Sequence, residues 1–174
     1  SVSNSWTARS GWLAWVEDER NVRTWSTASG TAGPTFASVA PEGLELGVAR
    51  VWWTTFQPFC VNGGKACSGA VALEKGDLGS GNVSSVHEGA PAFFGKAIDL
   101  GARVLAPLSH LGTTVMELDP QKPAKKLRKV FSLPADAAEL QGDEKILVFT
   151  SAREVFRVEL EAKTVSATSV LRLD

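Results

Sequence analysis

The chain has 174 residues, 44% hydrophobic and 21% charged, with a net charge of −1. That length suits one domain or two very small ones. The near-neutral charge carries no electrostatic signature for nucleic acid or an anionic membrane, and no apolar run approaches the roughly 18 residues of a membrane-spanning helix. The first residue is Ser1 rather than Met, and no signal-like apolar segment follows it. This fits a mature secreted form, a fragment, or one piece of a larger protein.

Short β-rich runs recur along the chain. Trp12-Leu13-Ala14-Trp15-Val16 reads as a strand covered on both faces. The polar turn Asp18–Asn21 leads to Val22–Ser26, which alternates in character. A further strand is expected at Thr35–Val39. The second unit covers 44–74, with a strand over roughly 48–57, a cysteine-bounded loop and a strand over Ser68–Glu74. Residues 75–91, rich in glycine, read as a long exposed connection. The third unit holds Ile98–Gly101, Arg103–Leu108, Thr113–Leu118 and Leu127–Phe131. Pro134–Leu140 is the one segment with helical character, one or two turns with proline at its start. The fourth unit repeats the third, with Lys145–Thr150, Val155–Leu160 and Ser166–Leu171.

The runs opening at Gly11, Arg50, Arg103 and Lys145 stand 39, 53 and 42 residues apart. Each begins basic-or-small and continues apolar: Arg50-Val51-Trp52-Trp53, Arg103-Val104-Leu105-Ala106 and Lys145-Ile146-Leu147-Val148. A period of about 40–50 residues with three or four strands per repeat resembles a β-propeller. The resemblance is one of period and pattern, without a Trp-Asp, Gly-His or kelch signature. It implies an all-β, propeller-like array of about four blades, spanning 1–174 as a single domain or forming part of a larger propeller. A β-sandwich of about nine strands is the alternative. Four blades form either a small closed ring or an arc with two exposed edge blades, which another copy or another chain would complete.

The only cysteines, Cys60 and Cys67, bracket Val61-Asn62-Gly63-Gly64-Lys65-Ala66. Asn-Gly and Gly-Gly favour a reversal, which would bring the two side chains together in a disulfide and imply an oxidising, extracytoplasmic compartment. The tryptophans invite a glycan-stacking reading. Trp52 and Trp53 must face opposite sides of a strand, so one of them is a candidate for exposure, as are Trp25 and Trp6. The competing reading places Trp12, Trp15, Trp52 and Trp53 between stacked blades, where large flat rings pack. Lys122, Lys125, Lys126, Arg128 and Lys129 form the strongest local charge bias. They read as an acidic-partner patch or as a solvated turn whose lysines protect an edge strand.

No catalytic pattern emerges. His87 and His110 stand alone, and adjacent Ser109 and His110 would point to opposite faces of a strand. There is no Gly-x-Ser-x-Gly elbow and no His-Glu-x-x-His helix. Glu17-Asp18-Glu19 lacks the alternating oxygen ligands of a calcium loop, and Asn82-Val83-Ser84 is a glycosylation acceptor only in a eukaryotic secretory setting. The expectation is therefore a non-enzymatic, extracytoplasmic interaction or assembly module with a protein partner or self-association and no cofactor or metal. A carbohydrate-binding module using exposed tryptophan and a piece of a larger propeller enzyme are the alternatives.

Overall fold

A computed structural model describes residues 5–61, 66–86, 93–109, 113–121, 127–134, 137–151, 153–162 and 164–172. Strands make up its regular structure, and among the described residues no helix is long and apolar enough to cross a membrane. Blade 1 comprises β1 (Trp6–Arg9), β2 (Trp12–Glu17), β3 (Asn21–Ser26) and β4 (Thr31–Ala37). Blade 2 comprises β5 (Glu42–Leu46), β6 (Arg50–Val61), β7 (Ala66–Asp77) and β8 (Val83–Val86). After the short β9 (Phe93–Phe94), blade 3 comprises β10 (Ile98–Asp99), β11 (Val104–Ser109), β12 (Thr113–Leu118) and β13 (Arg128–Leu133). Blade 4 comprises β14 (Ala137–Gly142), β15 (Ile146–Ser151), β16 (Glu154–Glu159) and β17 (Ala167–Arg172). Each blade is an antiparallel meander in chain order. β9 pairs parallel with β7 and antiparallel with β11, joining blades 2 and 3 into one continuous sheet.

The first strands, β1, β5, β10 and β14, adjoin one another in turn and so line the inner side of the array. Blades stack through three apolar clusters. Ala14, Val22 and Phe36 of blade 1 meet Leu44, Leu46, Val51 and Trp53 of blade 2. Trp52, Leu73 and Val86 of blade 2 meet Val104, Ala106 and Leu118 of blade 3. Leu105, Val115 and Phe131 of blade 3 meet Leu147, Phe149 and Val158 of blade 4. Alternation along a strand sends consecutive side chains to opposite faces, so Trp52 and Trp53 fill consecutive junctions. Trp53 stacks on Phe36 with centroids 5.5 Å apart, and its indole N–H donates to Glu74 Oε2 at 2.6 Å and Ser38 Oγ at 2.8 Å. Close approach requires glycine at Gly76, where a Cβ would stand 2.7 Å from the Phe36 ring.

Several boundaries differ from the sequence reading. β1 and β5 are additional inner strands. The supposed connection at 75–91 holds the end of β7 and all of β8. The described part of Pro134–Leu140 is not helical: β14 begins at Ala137 and pairs with β15, the non-local ladder overriding the helix preference of its alanines. The repeat alignment also slips by one residue. Val51, Val104 and Leu147 share one orientation with Leu13, not with Trp12, and a one-residue shift exchanges the two faces of a strand.

Blades 1, 2 and 3 are tied together at Asp99, which is fully buried. Its carboxylate accepts from Arg50 Nε at 2.6 Å, Arg50 Nη2 at 3.0 Å, Trp52 Nε1 at 2.9 Å and the Gly101 amide at 2.8 Å. Its carbonyl accepts from Arg9 Nη1 of blade 1 at 2.7 Å. Gly47 leaves room for this carboxylate, since a Cβ there would lie 2.2 Å from Asp99 Oδ2. Removing one partner of a buried ion pair strands the other. Asp99→Ala should therefore lower unfolding free energy by about 3–5 kcal/mol in urea titration. Adding Arg50→Ala to it should cost far less than Arg50→Ala alone costs the parent.

Candidate functional site

Two places gather the polar and exposed apolar groups of the fold. At the inner edges of blades 1, 2 and 3, Glu45 stands 3.6 Å from Arg9 Nη1 and 3.5 Å from Lys96 Nζ. Burial pushes the Glu45 carboxyl above its usual value, against the pull of Lys96 and Arg9. Every buried side-chain nitrogen or oxygen among the described residues has a partner, and the described residues hold no group of three or more His, Cys, Asp or Glu able to bind a metal. This cluster is a network of mutually engaged groups.

The terminal blades present a different surface. At equivalent positions of the second strand, Val51 and Trp53, Val104 and Ala106, and Leu147 and Phe149 face the preceding blade and are at most 1% exposed. Their counterparts in blade 1, Leu13 and Trp15, are only half-buried. They share their face with Trp6, 70% exposed, and Trp25, 38% exposed, through the register pairs Trp6–Trp15 and Leu13–Trp25. The opposite end repeats the pattern. Ala14, Trp52 and Leu105 face the following blade and are at most 1% exposed, whereas Val148 of blade 4 is 38% exposed. Ile146, Val155 and Leu171 lie on the same face as Val148, which also holds a groove of about 290 Å³ lined in part by Arg157, Glu159, Thr168 and Val170. Two apolar faces that are buried everywhere else in the array are thus open.

The predicted site residues separate accordingly. Trp25 joins the open face of blade 1. Trp52 and Trp53 are fully buried, their N–H groups directed to Asp99 and to Glu74 with Ser38. This corrects the expectation that one of them is free to stack on a ligand: an interior strand between two other blades has no solvent face. Cys60 and Cys67 are directly opposed in the β6–β7 register, and the state of their thiols lies outside the described side chains. Lys122, Lys125 and Lys126 lie outside the described residues, as do His87 and His110. Arg128 and Lys129 are exposed on the outer strand β13. Arg128 pairs with Glu117, which also holds Arg103 at 3.0 Å. Burial raises the Glu117 carboxyl, but hydrogen bonds from Arg103 and Arg128 outweigh it and hold the group below its usual value. The exposure of Trp6 agrees with the expectation from sequence, whereas Val148 carries no such signal there, and only its place in a terminal blade exposes it.

No protein-family description matches the chain, and no curated protein matches it. Among solved structures, YjhT superposes with a TM-score of 0.68 at 7% identity, over 99% of this chain and 65% of that one. The computationally designed Ika8 protein gives 0.65 at 11% identity, over 97% of this chain and 49% of that one. The designed Ika4 protein gives 0.58 at 13%, over 100% of this chain and 94% of that one. The fold is therefore all-β and propeller-like. The chain spans about two thirds of YjhT and half of Ika8.

The Glu45 environment makes a signed prediction. Because its folded carboxyl binds a proton more readily than the unfolded one, its contribution is most favourable below the ordinary value of 4.5. That contribution is lost as pH rises through the raised value. In thermal unfolding across acid to neutral pH, Glu45→Gln should lose less stability than the parent over that rise. A parent that instead gains on the variant towards neutral pH would show that the pairs with Arg9 and Lys96 outweigh burial.

Proposed function

We propose that the chain is a non-enzymatic interaction module whose terminal blade faces receive further β-blades. The observation supporting this is positional: Leu13, Trp15 and Val148 are open where every equivalent side chain in the array is buried. Exposed indoles and aliphatic side chains on one contiguous face mark an association surface, and tryptophan is favoured at the anchor points of interfaces. The inner charged groups are engaged with one another and serve to hold the blades in place.

A carbohydrate-binding reading keeps one supporting observation, the exposure of Trp6 and Trp25 on the same face. It predicts quenching of tryptophan emission by a glycan. The interaction reading predicts that the chain, at dilutions where it is monomeric, binds an environment-sensitive apolar dye. Trp25→Glu should remove much of that signal without shifting the unfolding midpoint. A monomer that binds no dye would show that the faces are closed and the reading is wrong.

The opposed backbone positions of Cys60 and Cys67 support a disulfide staple for the long β6–β7 hairpin and, with it, an extracytoplasmic location. Closing so short a loop stabilises by on the order of 2 kcal/mol. Alkylation of the unfolded, unreduced protein should leave its mass unchanged. Uptake of two alkyl groups without reductant would overturn the staple.

A further inference from the structure

The geometry points to a second copy of this chain as the occupant of the open faces, two four-bladed arcs closing head to tail into one eight-bladed ring. This deepens the interaction reading above and rests on it. Blade 4 of each copy would pack against blade 1 of the other, giving two identical junctions related by a twofold axis, which together form one isologous interface.

Three observations favour this occupant. First, the chain superposes with a TM-score of 0.65 on 49% of the Ika8 chain, an array that a second arc of this length would complete, while the 65% of YjhT that it covers corresponds to a shorter complement. Eight blades lie within the usual range of about four to eight. Second, the internal junctions between blades 1 and 2 and between blades 2 and 3 set a large side chain on the second strand of one blade against a small one on the next. Ala14 shares a cluster with Trp53, and Trp52 with Ala106. Joining two copies would set Val148 and its adjoining groove opposite Trp15, Trp6 and Trp25, the large-against-small contact of these two junctions rather than the Leu105–Leu147–Phe149 contact between blades 3 and 4.

Third, each face carries one basic and one acidic side chain that can exchange partners. Blade 1 presents Arg23 paired with Glu17 at 2.6 Å, and blade 4 presents Arg157 paired with Glu159 at 3.0 Å. Both pairs are solvent-accessible in the free chain, so Arg23 can turn to Glu159 and Arg157 to Glu17 as the faces meet. Such pairs at an interface set register and partner choice more than affinity.

The test is solution mass by light scattering and native mass spectrometry of the parent, Trp25→Glu, Val148→Glu and an equimolar mixture of the two variants. Circular dichroism confirms that both variants, altered at exposed positions, remain folded. The parent should have twice the 18.5 kDa chain mass. Each variant alone should dissociate with a constant at least about 30-fold weaker, the loss expected of a central anchor. The mixture should recover a dimer, because one of its two junctions is intact on both sides.

A parent that stays monomeric at high micromolar concentration overturns the inference. So does a dimer indifferent to Val148→Glu, which would be a face-to-face contact through blade 1 alone, and so does a larger defined ring. A monomer that still binds apolar dye at the open faces leaves the interaction reading standing with another partner, such as further blades on a separate chain. A monomer that binds none overturns both.

Discussion

Asp99 is the point on which the arrangement of blades 1, 2 and 3 depends. A single buried carboxylate, placed on the shortest inner strand, gathers Arg50 and Trp52 from blade 2 and the turn at Gly101, while its own carbonyl holds Arg9 of blade 1. Burying a charge is tolerated only when its lone pairs are filled, and here the filling groups come from separate blades. The requirement therefore acts as a positional constraint. The inner strands can satisfy Asp99 only in one relative placement, and Gly47 is needed because any side chain would displace the carboxylate.

Outward from that point the array is held by packing of large against small. Trp52 and Trp53 follow one another in sequence and, because a strand alternates, fill different junctions. Their indole N–H groups end on carboxylates, which lets rings of that size be fully buried without an unpaired donor. Glu74 does for Trp53 what Asp99 does for Trp52, with Ser38 and Ser85 completing its partners. The first two junctions thus combine an apolar plug with a polar latch, whereas blades 3 and 4 meet through the apolar cluster around Leu105, Leu147 and Phe149. The end blades repeat the strand alternation of the interior ones, and their outward faces, with no following or preceding blade in the chain, stay partly open.

Much of the architecture was legible in the residues. The four apolar runs, their spacing of 39, 53 and 42 residues and the turn chemistry between them marked four β-blades, because strand periodicity and glycine-rich turns are local properties. The inner strands β1 and β5 were less visible. Trp6–Arg9 and Glu42–Leu46 are short and mixed in polarity, and they exist by pairing with β2 and β6. The helical character of Pro134–Leu140 misleads for the same reason: the strand that begins at Ala137 owes its conformation to β15, a partner that local propensity does not register. Trp25 was identified as an exposed candidate, whereas the burial of both Trp52 and Trp53 required knowing that blades lie on either side.

What the sequence by itself determined was the class and the repeat: an all-β chain of four units opened by the apolar runs at Gly11, Arg50, Arg103 and Lys145. It also placed Cys60 and Cys67 across a tight reversal, since eight residues containing Asn-Gly and Gly-Gly leave little other geometry. Only the tertiary structure decided which face of each strand looks inward. Face assignment depends on register, and a shift of one residue, such as separates Val51 from its apparent counterpart Trp12, reverses it. Burial of Leu147 against exposure of Val148 likewise follows from which blade has a neighbour, a relation between distant parts of the chain that no local pattern encodes.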